Sequence, residues 1–356
     1  VSITASTTGD GNAGAINIDT KTFDLTKGTS LTTETNSAGK AGDISINSEI
    51  VTIGEGAEIS ATALEGATNT EAGGGNININ ANELNISGQL GIFAQTQGEA
   101  PAGKLTLKTY NDTPDLDINF SNQGFISAST TSTGSGGNIE ISAPLSIDIT
   151  GDGKISVETS GAGGAGNIEI KTQNLKTTDG IDVTASTTGA GDAGNINIET
   201  DKFNLEAGTS LTTETNSSGN AGDITINTQT LTIGEDAKIS ATAKPNATET
   251  AVGGNITINS NQLYISGELG IFAETKGEAA AGKLTLKTYN NNPDLDINFN
   301  SKNGSISART ISTGQGGNIE ISAPETIDIT GNGEISVKTT GAGNAGNISI
   351  ETPNLT

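Results

Sequence analysis

Four stretches of the chain carry glycines at the spacing of a phosphate-cradling loop. They are Gly9-Gly11-Gly14, Gly161-Gly163-Gly166, Gly189-Gly191-Gly194 and Gly341-Gly343-Gly346. A dinucleotide site needs a strand before such glycines and a helix N-terminus after them, where backbone N–H groups meet the pyrophosphate. Here an alternating x-Ile-x-Ile segment, a strand pattern, follows the third glycine each time. The motif therefore reads as a turn that packs backbone closely. Paired carboxylates are the second pattern. Asp115 and Asp117 follow Pro114, Asp294 and Asp296 follow Pro293, and Asp148 and Asp328 come about thirty residues later. Alternation with Leu116, Ile118, Leu295 and Ile297 turns these acids outward. Outward carboxylates on neighbouring turns of a repeat could hold Ca²⁺ through oxygen ligands, although solvated surface charge is the simpler reading. The Gly-Gly-x-Gly-x-Asp calcium repeat of other solenoids does not occur.

Two acids can also cleave a glycosidic bond, but such sites are unique clefts with perturbed carboxyls. These acids are duplicated, and no cluster of Arg, Lys and aromatic residues accompanies them to grip a sugar. No catalytic, cofactor-binding or metal-ligating residue is assigned, and no enzyme activity is expected. The outward Ser/Thr positions Ser60, Thr62, Ser127, Ser129, Thr184 and Ser186 form a polar face resembling ice-binding solenoids. Glu34, Gln95 and Glu158 interrupt it, whereas ice recognition needs a flat, regular array. Sequons such as Asn85-Ile86-Ser87 follow from composition.

Composition narrows the field further. The 356 residues include no Cys, Met, His or Trp. Disulfides, thiolate chemistry, the commonest general base and the commonest transition-metal ligand are thereby excluded. A formal charge of −24 argues against nucleic acid and anionic membrane as partners, since both require Lys/Arg stripes. At 32% hydrophobic and 3% aromatic, the chain cannot fill a wide globular core. No apolar run approaches the ~18 residues that span a bilayer.

The elements that must carry these residues repeat on two scales. Half the chain is duplicated: Leu31 to Ser37 returns at Leu211 to Ser217, and Gly136 to Pro144 returns at Gly316 to Pro324, each 180 residues on. Within each half runs a finer signature, (A/G)-G-(N/D)-I-x-I, with its glycines at Gly14, Gly42, Gly75, Gly103, Gly137, Gly166, Gly194, Gly222, Gly254, Gly282, Gly317 and Gly346. The intervals run from 28 to 35 residues and each holds three short alternating segments. Period-2 alternation means strands, and no segment keeps a helical apolar stripe. The expectation is an all-β, three-faced parallel β-helix of about twelve coils, a rod of ~58 Å at ~4.8 Å per coil. Residues 1–176 and 177–356 form its two near-identical six-coil repeats in one continuous solenoid. The signature glycines are expected to supply positive φ at a corner. Asn76, Asn138, Asn167, Asn195, Asn255, Asn318 and Asn347 should stack there as an amide ladder. Longer intervals place loops at 64–74, 244–253, 110–125 and 289–305, where binding specificity usually sits on a rigid shaft.

The units AGNIEIKTQNL, AGNINIETDKFNL and AGNISIETPNL, with G-x-x-(I/L)-x-(A/T)-x-T segments such as 208–215, closely resemble large exoproteins of the filamentous-haemagglutinin type. Those of filamentous cyanobacteria look nearest. The resemblance covers the whole chain, with weaker register at 110–125 and 289–305. It implies a right-handed helix, export through an outer-membrane partner transporter, and an extracellular or cell-surface location. Either a structural fibre or an adhesin stalk is implied, the latter displaying loops that bind surface polysaccharide or neighbouring cells. The chain stops at the start of a second strand, 351–356 matching 171–176, so a section of a longer array is expected. Its partners would be further copies of itself, end to end or laterally.

Overall fold

The structure is a computed structural model that describes residues 1–70, 73–300 and 303–356. Strand alternation appears where the sequence places it. In Ile77–Asn80, Ile77 and Ile79 are buried while Asn78 and Asn80 face outward, because successive side chains of an extended chain point to opposite faces. Three such segments make one coil. Ile77–Asn80 lies on a first face, Glu83–Ser87 on a second and Gly91–Thr96 on a third. Each strand pairs in parallel with its counterpart one coil away, so that Ile139, Ile168, Ile196 and Ile224 form one continuous column. The third face is a 12-stranded sheet. The first and second faces form a 22-stranded sheet, because Ile16–Leu25 and Ile44–Ile53 run through both without a break. The fold is a parallel β-solenoid of about twelve coils, as the repeat spacing implies.

The core is a narrow column of aliphatic side chains, and one cluster extends from Leu25 to Ile327. On the third face the last inward position is threonine in most coils. Thr159 donates to the carbonyl of Gly163 at 2.5 Å, and Thr187 to that of Gly191 at 2.6 Å. These hydroxyls satisfy carbonyls of a glycine-rich corner that has no ladder partner of its own.

The glycine expectation needs correction. Among the described glycines, positive φ belongs to Gly28, Gly56, Gly88, Gly151, Gly180, Gly208 and Gly331, outside the signature. Most signature glycines are required for a different reason. A Cβ on Gly194 would lie 1.5 Å from the carbonyl oxygen of Gly166, and one on Gly222 would lie 1.7 Å from that of Gly194. The glycines stack in a file where adjacent coils touch backbone to backbone. Of the two glycine roles, close approach applies here and left-handed φ does not.

The loop expectation also changes. Much of 110–125 is the seven-residue second-face strand Asp115–Ser121, and 289–305 contains the equivalent Asp294–Phe299. Only 109–114 and 288–293 project, and residues 301 and 302 fall outside the described residues. Both projections leave the register undisturbed, since Leu105–Lys108 still pairs with Ile139–Ser142 and Leu284–Lys287 with Ile319–Ser322. In the described parts of the insertions at 64–74 and 244–253 a few small residues turn inward while most other side chains stay exposed or half-buried. Ala63, Ala67 and Ala100 form one small buried cluster, and Ala243, Ala247, Ala251 and Ala279 another. Residues 71 and 72 lie outside the described residues.

Candidate functional site

The asparagine file exists, but its bonds differ from an amide-to-amide ladder. The Asn167 side-chain oxygen accepts the backbone N–H of Asn195 at 2.8 Å, and the Asn195 oxygen accepts that of Asp223 at 2.8 Å. Asp223 passes the pattern on to the N–H of Asn255 at 2.7 Å. An acceptor oxygen is all the geometry requires, so aspartate serves as well as asparagine. The backbone N–H groups of Lys104 and Lys283 donate such a bond to the side-chain oxygens of Asn76 and Asn255, but these lysines have no side-chain acceptor to offer the next coil. The file is thereby interrupted at the same coil of each repeat, the coil from which the projections arise.

These projections replace a two-residue corner, such as Thr172-Gln173, between the first and second faces. At 109–114 a single 3-10 turn, Tyr110–Asp112, places Asn111 and Asp112 at φ 49° and 54°. At 288–293 Asn290 and Asn291 take the same conformation, at 51° and 56°. Asn and Asp tolerate this left-handed region better than other side chains that bear a Cβ. Asn82 anchors the first projection by accepting the Tyr110 N–H at 3.1 Å and the Thr113 hydroxyl. Asn261 accepts the Tyr289 N–H at 2.8 Å in the second.

Beside the first projection lies a groove of about 640 Å³. Its floor is the file of residues ending the first-face strands, including Asn80, Lys108, Ser142, Lys171 and Glu199 on successive coils. Asn111 and Asp112 form part of the wall, and Ala143, Pro144, Thr172, Gln173, Thr200 and Asp201 extend the floor around the corner. The ring of Tyr289, from the projection of the following repeat, also lines it. Lys171 reaches across one coil to Glu199 at 2.9 Å. That hydrogen bond raises the Lys171 pKa above the ordinary lysine value, assisted by the charge of Glu199. A second cavity of about 710 Å³ lies beside the other projection, lined by Lys287, Asn291, Ser322, Pro324, Glu351 and Pro353 among others.

The acids singled out in the sequence sit together on the second face. Asp117 pairs in register with Glu83 on one side and Asp148 on the other, and Asp296 with Gln262 and Asp328. Leu116, Ile118, Leu295 and Ile297 are buried, as the alternation requires. Partial burial raises the Asp117 pKa, and the charges of Asp148, Glu83 and Asp115 raise it further. Among the described residues no three carboxylates converge in a metal-binding group. The G-x-G-x-x-G segments lead into strands Ile168–Lys171, Ile196–Glu199 and Ile348–Glu351 instead of helices, leaving no helix terminus to receive a phosphate.

The Ser/Thr face is less open than its outward direction suggests. Ser60, Thr62, Ser127 and Thr184 are buried, and Ser129 and Ser186 half-buried. Small hydroxyls one coil apart bond to each other, as Thr184 does to Thr212 at 3.2 Å. Two aromatic rings in the same file escaped the sequence reading. Phe93 stands in register with Ser60 and Ser127, and Phe272 with Ser240 and Ser307. Arg309 lies 5.7 Å from the Phe272 ring centre and bonds Glu274 at 2.8 Å. This Arg–aromatic pair lies on the third face, away from the paired acids of the second. Strict alternation between buried Ile92 and Ala94 was the available signal that Phe93 points out.

Compared with protein-family models, with curated proteins and with solved structures, the chain matches none.

Proposed function

We propose that this chain is a section of the shaft of a secreted cell-surface or extracellular fibre, in which the rod is itself the function. The observation that carries this reading is the unbroken core cluster from Leu25 to Ile327. A stack of coils that buries its apolar side chains along one axis makes a long object with little material, and it extends by adding coils. A charge of −24 keeps such an exposed rod soluble. The resemblance of the A-G-N-I-x-I units to filamentous-haemagglutinin-type exoproteins supports export through an outer-membrane partner transporter and assembly with further copies of the chain. Electron microscopy of the native material tests the proposal. Continuous filaments with an axial repeat of ~4.8 Å are expected, and isolated short rods would overturn it. Chelator on the same grids tests the outward carboxylates, since fraying would assign them Ca²⁺.

A second reading, an adhesin stalk, is favoured by the two projections and the groove of about 640 Å³ between them. On this reading the shaft presents a carbohydrate- or cell-binding surface. Deleting 110–113 and 289–292 should abolish adhesion while leaving the rod intact.

A further inference from the structure

We infer that the groove at the junction of the two repeats binds a neutral oligosaccharide, with Tyr289 of the second repeat as its aromatic wall. The inference rests on the second reading above and gives it a place and a ligand class.

The cavity of about 640 Å³ falls within the range of ordinary small-molecule sites. Its lining points to one kind of ligand. The charged members are two lysines and three acids, a formal balance of −1, so an anion such as phosphate or sulfate finds no excess of positive charge. One of the acids, Glu199, is already paired with Lys171 at 2.9 Å. Fourteen of the sixteen lining residues carry an amide, hydroxyl or charged group, while their stems expose about as much apolar surface, a mixture that suits a ligand with both polar edges and apolar faces. Sugar hydroxyls both donate and accept, and so do the amides of Asn111 and Gln173 and the hydroxyl of Ser142. Tyr289 contributes a flat ring with a polar tip, half-buried and held by the Asn261 bond to its backbone. Such a ring covers the apolar face of a sugar while its hydroxyl remains wet. Pro144 and Ala143 add a small apolar patch to the lining.

The site is composite. Its floor runs from the first repeat through Lys171 into the second at Glu199 and Asp201, and its aromatic wall comes from the second, so two successive repeats build one groove. The cavity beside the second projection has Glu351 and Pro353 where the first groove has Lys171 and Gln173.

Titration calorimetry on the full 356-residue chain tests this, with cellohexaose, maltohexaose and chitohexaose as probes and a sulfated hexasaccharide as the anionic comparator. At least one neutral hexasaccharide should bind at one site per chain. Tyr289→Ala and Gln173→Ala should each weaken it about tenfold or more. Tyr289→Phe should keep most of the affinity. Tyr264→Ala, at an outward second-face position that does not line the groove, should change nothing, and melting curves should show all variants folded. Undiminished binding in both Tyr289→Ala and Gln173→Ala would overturn the groove while leaving the adhesin reading in place. Binding of none of the three neutral probes at millimolar concentration, or of the sulfated probe alone, would overturn the inference and remove its support for the adhesin reading.

Discussion

Beside the projection at 109–114 the groove floor carries Lys108, Ser142 and Lys171; beside that at 288–293 the equivalent residues are Lys287, Ser322 and Glu351. Gln173 in the first repeat becomes Pro353 in the second, and Asp112 becomes Asn291. On the second face, Asp117 lies between Glu83 and Asp148, whereas Asp296 has Gln262 in place of the first glutamate. On the third face Ser129 becomes Arg309, which pairs with Glu274 beside Phe272. The inward positions barely change. Leu105 and Leu284, Ile118 and Ile297, and Ile126 and Ile306 are fully buried pairs. The core tolerates little because it is packed to solid density, while an outward side chain need only suit water and its neighbour one coil away. One backbone thus presents two chemistries at two positions on a rod.

The sharpest way to break this equivalence is to charge the core. Ile168 is 0% exposed. Ile168→Asp should cost about 4 kcal/mol or more, as for a buried unpaired charge. Hydrogen exchange on Ile168→Asp should show protection lost in the coils around 139–199 and kept in distant ones. A single cooperative loss across the chain would contradict coil-by-coil stability. The glycine file ranks next. Gly194→Ala forces a Cβ to within 1.5 Å of a carbonyl oxygen and should cost about 3 kcal/mol. Gly180→Ala meets no atom within 4 Å but must adopt φ of 92°, a strain of about 1–2 kcal/mol. Denaturant melts of the two variants separate close approach from conformational freedom.

Smaller effects come from the outward charges. Asp117 has a raised pKa, so folding favours its protonated form. Its contribution is fully present below the ordinary carboxylate value of 3.8 and is lost as pH rises through the raised one. Asp117→Asn should therefore raise the melting temperature at pH 7 and change it little at pH 3. Gln262→Glu, which recreates the acidic file in the second repeat, should lower it at pH 7. Smallest of all is Lys171→Ala, which removes an ion pair with 61% and 53% of its side chains exposed. It should leave the melting temperature almost unchanged, and added salt should erase any difference.

Much of this architecture is legible in local spacing. Alternation in Asn76-Ile77-Asn78-Ile79 identifies the strand and its buried side, and intervals of 28 residues between glycines identify the coil. The site was only partly legible. The 34-residue interval from Gly103 to Gly137 announces an insertion, but not that just 109–114 leaves the sheet. Asp115 and Asp117 were visible as outward acids, whereas Lys171, Gln173 and Glu199 look like any solvated face of a repeat. What makes them the floor of a groove is the projection that stands beside them.

The sequence by itself determined the strand class, the coil count, the inward residues and the duplication, because each follows from side chains a few residues apart or from a fixed period. Only the tertiary structure decided why the signature glycines are glycine, which hydroxyls are shielded, and that Tyr289 lines the groove floored by Lys171 and Glu199. Tyr289 is 118 residues from Lys171 (289 minus 171). Such proximity depends on how the coils stack and how far a loop reaches, and no local pattern records a distance across coils.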